Sequence, residues 1–479
     1  MKTARFLNRL GPEWLPFADA ASAELPLRRL LRLGLFQVTV GMTLALLAGT
    51  LNRVMIVELA LSAWIVGAFL ALPMLLAPLR AVLGFRSDHH VSVLGWRRVP
   101  YLWFGTLMQF GGFAILPFAL ILLDGVADHT AVQRAFGMGG AGLAFLLLGA
   151  GAHTVQTAGL ALATDLCDDE RRPRVVALLY VTFLAGLLLG GLVFSALLRD
   201  FSPLRLIQVV QGAAVLTLVL NGIALWKQEA RQEAYMPGAD TPPPPAFSQA
   251  WRTLVRTDRT GRLLVAVGLG SAGFAMQDVL LEPYGGQVMS LGVGATSLLT
   301  ALSAAGALVA FAWAARSLAH RVDPLRIAAW GTVAGVFAFA LVVMAAPMGS
   351  PALLRAGAIL IGFGGGLFAV GTLTAAMGLQ ETGSGLAVGA WGAVQATAAG
   401  LAVGLGGVLR DLTTRLGDLG ALGPALHGPE AGYVVVYHLE ILALFLAMIV
   451  LGPLVSPRGL PAPARDGEAP AFGLAELPG

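Results

Sequence analysis

Twelve stretches of about twenty mostly apolar residues, the length that lets a helix cross a bilayer, recur along this 479-residue chain, each bounded by charge or proline. They lie near 33–51, 59–79, 100–123, 138–164, 175–198 and 204–226, then 262–281, 292–315, 325–346, 352–378, 386–409 and 433–453. In lipid only a helix or a closed barrel satisfies its own backbone hydrogen bonds, so such runs read as spanning helices. Composition agrees: 57% of residues are hydrophobic and 12% are charged, against a usual charged share of about 25%. A water-soluble fold of this length has too little interior to hide so much apolar side chain. A soluble enzyme, a disordered regulator and a secreted disulfide scaffold are thereby excluded.

The basic residues set an expected orientation. With the N-terminus cytoplasmic, 24 of the 31 Lys and Arg fall on the cytoplasmic side and seven on the other. That bias favours both termini in the cytoplasm. It also explains the net charge of +4 without nucleic acid as a partner. The N-terminus has no continuous apolar region of the signal-peptide kind, so the first span is expected to direct insertion. Cys167, the single cysteine, is read as a bystander at a helix end.

A stretch from Lys227 to Thr260, holding the run Pro242 to Pro245, divides the spans six and six, since polyproline favours an extended, solvated linker. Span five ends in Leu197-Leu198-Arg199-Asp200 and span eleven in Val408-Leu409-Arg410-Asp411, as duplication of a six-helix unit would leave them. The expected organisation is a cytoplasmic tail over 1–32, six-helix bundles over 33–226 and 261–453, a linker over 227–260 and a second cytoplasmic tail over 454–479. An all-α integral membrane protein of the major facilitator superfamily fold, with twelve helices in two six-helix bundles, fits that plan.

Ionisable groups inside spans are expensive, and each is a candidate for function. His153 lies in the middle of span four; it reads either as an axial ligand for a metal-centred macrocycle or as an interhelical hydrogen-bonding group. Asp278 and Glu282, spaced i,i+4 near the outer end of span seven, read as a proton-coupling pair, as a structural device that pairs with Arg53 or bonds backbone at a helix end broken by Pro283, or as a docking surface for another membrane protein. His89 and His90, beside Asp88, Trp96, Arg97 and Arg98, lie in a basic loop that could contact lipid headgroups. Few other polar groups fall inside the spans: Gln37, Thr39, Gln109, Gln208, Gln211 and Gln395. That scarcity points to an apolar cargo or to none. Stretches such as Gly364-Gly365-Gly366 lie inside an apolar span and read as packing, as do Gly362-x-x-x-Gly366 and Gly400-x-x-x-Gly404. No phosphate loop, zinc spacing or nucleophile elbow is present, and the chain is expected not to be an enzyme.

Four segments carry a resemblance. Ser87-Asp88-His89-His90 with Leu94-Gly95-Trp96-Arg97-Arg98-Val99-Pro100-Tyr101 is the first, and Gln156-Thr157-Ala158-Gly159-Leu160-Ala161-Leu162-Ala163-Thr164-Asp165-Leu166 the second. Arg172-Pro173-Arg174-Val175-Val176-Ala177-Leu178-Leu179-Tyr180 and Gln277-Asp278-Val279-Leu280-Leu281-Glu282-Pro283-Tyr284-Gly285-Gly286 complete the set. In this order they resemble the bacteriochlorophyll-delivery family, the PucC/LhaA-type proteins of purple phototrophic bacteria, over nearly all of 33–453. The resemblance implies assembly of light-harvesting complexes beside antenna α/β polypeptides, with bacteriochlorophyll, and carotenoid or lipid, as cargo. Trp14-Leu15-Pro16-Phe17 looks closer to the core-antenna (LH1) branch, which implies the reaction centre as a further partner. His153, Gln156 and Thr157 are then the candidate pigment contacts, and Asp278, Glu282, Tyr284, Asp88, His89, His90, Arg97 and Arg98 further functional candidates. The loop after span two carries Gly84, Asp88 and Arg97-Arg98 with an insertion holding both histidines, a departure from the general facilitator pattern that weighs against ordinary rocking transport. A proton-coupled transporter of a small or amphipathic molecule is the alternative.

Overall fold

The structure, a computed structural model, describes Ala20, residues 25–77, 96–123, 130–168, 171–229, 258–378 and 384–423, Gly428 and residues 430–455. Twelve helical segments account for the spans. We number them α1 (Leu27–Glu58), α2 (Ala63–Leu75), α3 (Val99–Leu123), α4 (Ala131–Asp165), α5 (Arg172–Leu197) and α6 (Pro203–Leu225). The second set is α7 (Arg259–Gln287), α8 (Val293–Ala319), α9 (Pro324–Ala345), α10 (Pro351–Met377), α11 (Ser384–Asp418) and α12 (Glu430–Leu451). Eleven are long and apolar enough to cross a membrane, whereas α2 is helical over only 13 described residues. No strand occurs among the described residues.

Several edges differ from the expected spans for local reasons. Helix α4 begins at Ala131 because Thr130 and Gln133 form a capping box, Thr130 Oγ1 accepting the Gln133 N–H at 3.2 Å; the cap, not the apolar run, sets the start. Helix α11 continues past Arg410 and Asp411 to Asp418 because both charges find partners inside the protein. Proline follows the cap at the starts of α6 and α9, where Ser202 and Asp323 accept backbone N–H groups.

Within the first six helices α3 lies along α4, and α1 packs on α5. In the second six α9 and α8 both pack on α10, and α7 sits against α11 and α12. The sets meet along two pairs, α2 with α11 and α5 with α8. The end of α5 meets the start of α8, where a Cβ on Gly294 would stand 2.5 Å from Ser195 O. The end of α11 meets the start of α2 in the same way: a Cβ on Gly407 would stand 2.4 Å from Ala63 O. Asp411 Oδ2 there accepts the Trp64 N–H at 2.9 Å. The repeated Leu-Arg-Asp ends thus mark equivalent contacts. Gly362 and Gly366 let α10 press on α8, facing Ser303 O and Ala310, and Gly400 faces Met74 and Leu75.

Two helices are irregular, and they face each other. In α1, π-helical turns run from Ala45 to Leu51 and from Val54 to Glu58. In α7 the α-helix ends at Ala275, a 3₁₀ turn covers Met276–Val279, and helix resumes over Leu281–Gln287. Irregular backbone at membrane depth is tolerated where it is buried in protein or lines a cavity, and π turns often mark functional positions.

Candidate functional site

Between the two sets of helices lies a cavity of about 340 Å³. Its walls are mostly apolar, among them Leu70, Pro73, Phe145 and Leu187, with a polar group from each side. From α4 come His153 and Gln156, and from α7 and α8 come Gln277, Asp278, Glu282, Thr300 and Ser303. Residues far apart in sequence, His153 on one wall and Asp278 with Glu282 on the other, therefore share one chamber. Thr157 and Tyr284 are not among its lining residues.

The α4 wall carries an imidazole and an amide. Gln156 and His153 are half-buried, and Gln156 Nε2 donates to Gln37 Oε1 of α1 at 3.4 Å. Behind it lies a ladder of amides and hydroxyls. Thr39 Oγ1 donates to Asn221 Oδ1 at 2.8 Å, Asn221 Nδ2 to Thr106 Oγ1 at 2.9 Å, and Thr43 Oγ1 to Gln109 Oε1 at 3.0 Å. These bonds tie α1 to α3 and α6 with no formal charge.

The opposite wall is acidic. Glu282, 4% exposed, accepts from Thr300 Oγ1 at 2.7 Å and from Asn52 Nδ2 at 3.3 Å. The same Asn52 Nδ2 donates to Asp278 O at 3.0 Å, a carbonyl left free where α7 breaks. Asn52, between the two π segments of α1, thus closes the broken helix from the facing bundle. The expected i,i+4 pair on one regular helical face is replaced by two carboxyls flanking a break. Asp278 Oδ1 is bonded by Gln277 Nε2. The Gln277 backbone N–H donates to Glu440 Oε1 at 2.6 Å. Glu440, on α12 and fully buried, has an Oε2 with no hydrogen-bond partner among the described residues.

Glu440 was missed in sequence, as was Asn52. The signal was present, since an ionisable residue inside an apolar span is a candidate by that fact alone. The reading of few interior carboxylates is corrected accordingly: three carboxyls gather around the break in α7. Arg53 is not their partner. It pairs with Glu58 and donates to Leu291 O at 3.1 Å, fastening α1 to the α7–α8 connection. Thr50 and Ser297, 3.0 Å apart, add a second fastening, and Gln287 a third: its Nε2 donates to Ile56 O of α1 at 3.4 Å, while its Oε1 accepts from Arg410 and Tyr433 within the second bundle. These contacts gather where α1 and α7 end.

Tyr284 is fully buried behind the site; its hydroxyl donates to Val342 O at 3.2 Å and its ring packs with Tyr433 and Tyr437, centroids 5.5 and 5.4 Å apart. Thr157 is half-buried on α4. Arg97 and Arg98 stand at the other end of the first bundle. Both pair with Asp165, at 2.6 and 3.0 Å, and the N–H groups of Arg97, Arg98 and Val99 converge on the Glu229 carboxylate at 2.8 to 3.1 Å. A carboxylate at a helix N-terminus satisfies orphan donors and the helix dipole together. The pair is therefore a clasp joining the ends of α3, α4 and α6. Asp88, His89 and His90 lie outside the described residues, as do Trp14 to Phe17 and most of the linker.

The profile of the family described as PUCC protein matches residues 50–459. This chain belongs to that family. A Rhodobacter capsulatus relative, described as an uncharacterized protein in the puhA-bchM intergenic region, is 53% identical over 99% of both chains. Protein PucC of Rhodovulum sulfidophilum is 54% identical over 85% of this chain and 90% of its own. Protein PucC of Cereibacter sphaeroides is 50% identical over 95% and 98%.

Among solved structures, a POT family transporter superposes with a TM-score of 0.65 at 12% identity, covering 91% of this chain and 99% of that one. A variant of the nucleoside transporter NupG gives 0.64 at 15% identity over 88% and 99%. At such identities the likeness establishes the fold alone. This PucC-family chain is a multi-pass membrane protein, all-α among the described residues, with the major facilitator fold.

Proposed function

We propose that this PucC-family protein is an integral-membrane assembly factor for photosynthetic light-harvesting antenna. In this reading it binds antenna α/β polypeptides, those of the core antenna (LH1) around the reaction centre first, and holds or delivers bacteriochlorophyll. It works without catalysing a reaction, in the bacterial inner membrane with both termini cytoplasmic. The observation that carries the reading is family membership across 50–459.

The site's chemistry is compatible with this role. A neutral imidazole nitrogen on an apolar wall suits the magnesium of a chlorin, and His153 offers one in the chamber, with Gln156 beside it and Thr157 next along α4. The chamber, near the low end of the ~300–1,000 Å³ usual for ligand sites, is smaller than a chlorin with its phytyl tail. Pigment handling in a chamber of this size involves part of the molecule, with the tail left in lipid.

The test is mild-detergent purification of tagged protein from its native membrane, read by absorption spectroscopy and mass spectrometry, for the wild type and His153→Ala. We expect bacteriochlorophyll and antenna polypeptides with the wild type and less pigment with the variant. A folded, colourless, partner-free wild type overturns the reading. A second reading, a proton-coupled transporter of a small or amphipathic molecule, is favoured by the three carboxyls around the break in α7. It requires pH-gradient-driven uptake into proteoliposomes that Glu282→Gln abolishes.

A further inference from the structure

Helices α5 and α6 are consecutive in the chain, yet they barely touch. Each packs on a different flank of α1, leaving a groove of about 530 Å³ between them, with Val38 and Met42 of α1 as its floor. The groove is built differently from its counterpart in the second bundle, where α11 and α12 pack together and also enclose α7. There a Cβ on Gly273 would meet the Leu444 side chain at 3.0 Å. In the groove a Cβ on Gly212 would meet nothing within 4 Å, so this surface is open.

Its chemistry is uneven along its length. The walls are apolar and lipid-accessible, Leu189 and Leu216 being 54% and 44% exposed. Arg205 and Gln208, both exposed, line one end, within the first two turns of α6. Arg205 makes only a 3.4 Å contact with Leu197 O, and Gln208 has no hydrogen bond among the described residues. An exposed guanidinium and amide at the end of a span, weakly bonded among the described residues, are open to a polar group from outside, and the α6 N-terminus beside them adds positive potential. Arg199 and Asp200, on the α5–α6 connection, offset each other and do not line the groove.

We propose that this groove is a binding site for an anionic phospholipid, with the phosphate on Arg205 and Gln208 and an acyl chain lying over Gly212 against α1. The proposal stands apart from the assembly role, since it needs neither pigment nor antenna polypeptide. An acyl chain suits a slit lined by aliphatic side chains, and the phosphate suits the polar end at headgroup depth. Arg binds phosphate through paired N–H donors and stays charged at any physiological pH.

The test uses the full-length protein in phosphatidylcholine vesicles carrying spin-labelled phosphatidylglycerol or spin-labelled phosphatidylcholine, with the motionally restricted fraction read by electron paramagnetic resonance. Phosphatidylglycerol is expected to associate about two- to fivefold more strongly, the span of an exposed charge pair. Arg205→Gln should bring it down to the phosphatidylcholine level. Gly212→Leu, whose side chain enters open space, should reduce restriction of phosphatidylglycerol and leave the unfolding midpoint unchanged. Equal restriction of the two lipids in the wild type overturns the proposal, as does selectivity that survives Arg205→Gln. Either result leaves the groove to bulk lipid or to a polypeptide.

Discussion

The two walls of the central chamber solve one problem in opposite ways. Both place polar groups at membrane depth, where an unmet hydrogen bond is expensive. The α4 wall keeps its helix regular and meets most of its polar groups with uncharged amides and hydroxyls, through the Gln37–Gln156 bond and the ladder from Thr39 to Asn221 and Thr106, although Gln37 Nε2 and Gln109 Nε2 have no partner among the described residues. The α7 wall breaks its helix and buries carboxyls around the break, and its bonds reach across to the other bundle through Asn52. Neutral bonds within one bundle hold that bundle's shape. Bonds between bundles hold the relation of the two, so a change in the α7 cluster moves the whole molecule while a change behind α4 stays local.

The largest effect separating the walls is expected at Glu440. Its Oε1 is the acceptor for the Gln277 N–H, freed where α7 leaves α-helical geometry. Glu440→Gln keeps an acceptor there, whereas Glu440→Leu leaves a buried N–H unmet, at a cost of about 1–3 kcal/mol. The measurement is the midpoint of SDS-induced unfolding of the two variants. If they unfold together, the break in α7 is not held from α12 and owes its existence to local sequence.

How much of this was legible in the sequence depends on the kind of signal. Apolar runs and their basic flanks reported twelve segments and their two-fold organisation, because lipid imposes a length and a polarity on every span. The repeated ends at Arg199-Asp200 and Arg410-Asp411 fall at equivalent contacts for the same reason. The break in α7 was legible only in part: a helix end was expected at Pro283, but Pro283 lies within the helix that resumes at Leu281, and the break comes earlier, where Glu440 and Asn52 from other helices meet it. The joining of His153 with Asp278 and Glu282 was hidden too, since it depends on how α4 and α7 face each other. The groove between α5 and α6 leaves no trace in a chain with 61 glycines, where one more open glycine is unremarked. Glu440 differs from these, because its charge stands in plain view inside the twelfth run.

A second contrast sets one asparagine against another. Asn52 joins the bundles, donating to Asp278 O and to Glu282, while Asn221 joins α6 to α1 and α3 inside the first bundle. Replacing either by leucine removes two hydrogen bonds, and bonds between membrane helices average about 0.6 kcal/mol with a maximum near 1.7. Both variants should therefore lose about 1–2 kcal/mol in SDS unfolding. They should differ in how the bundles move: a pair of spin labels, one in each bundle, is expected to show a broadened distance distribution for Asn52→Leu and an unchanged one for Asn221→Leu. Equal broadening would mean that the neutral ladder also governs the relation between the bundles.

The smallest effects decide whether the chamber's two faces really differ in rigidity. Thr300 Oγ1 donates to Glu282 at 2.7 Å, and Thr300→Val keeps the shape while removing the donor. A hydrogen bond to an acidic group carries more than the membrane average, so a loss of about 1 kcal/mol is expected. Gln156→Leu removes the 3.4 Å contact of half-buried Gln156 with fully buried Gln37, which lies near the limit at which a hydrogen bond is worth counting. A contact that long is weak, and the loss is expected to stay within about 0.5 kcal/mol. On that basis the α4 wall can change side chains with little cost to the fold, and it is the wall free to adapt to a cargo. The α7 wall is fixed by what holds the bundles together. A Gln156→Leu loss as large as that of Thr300→Val would remove this distinction, since both walls would then be structural.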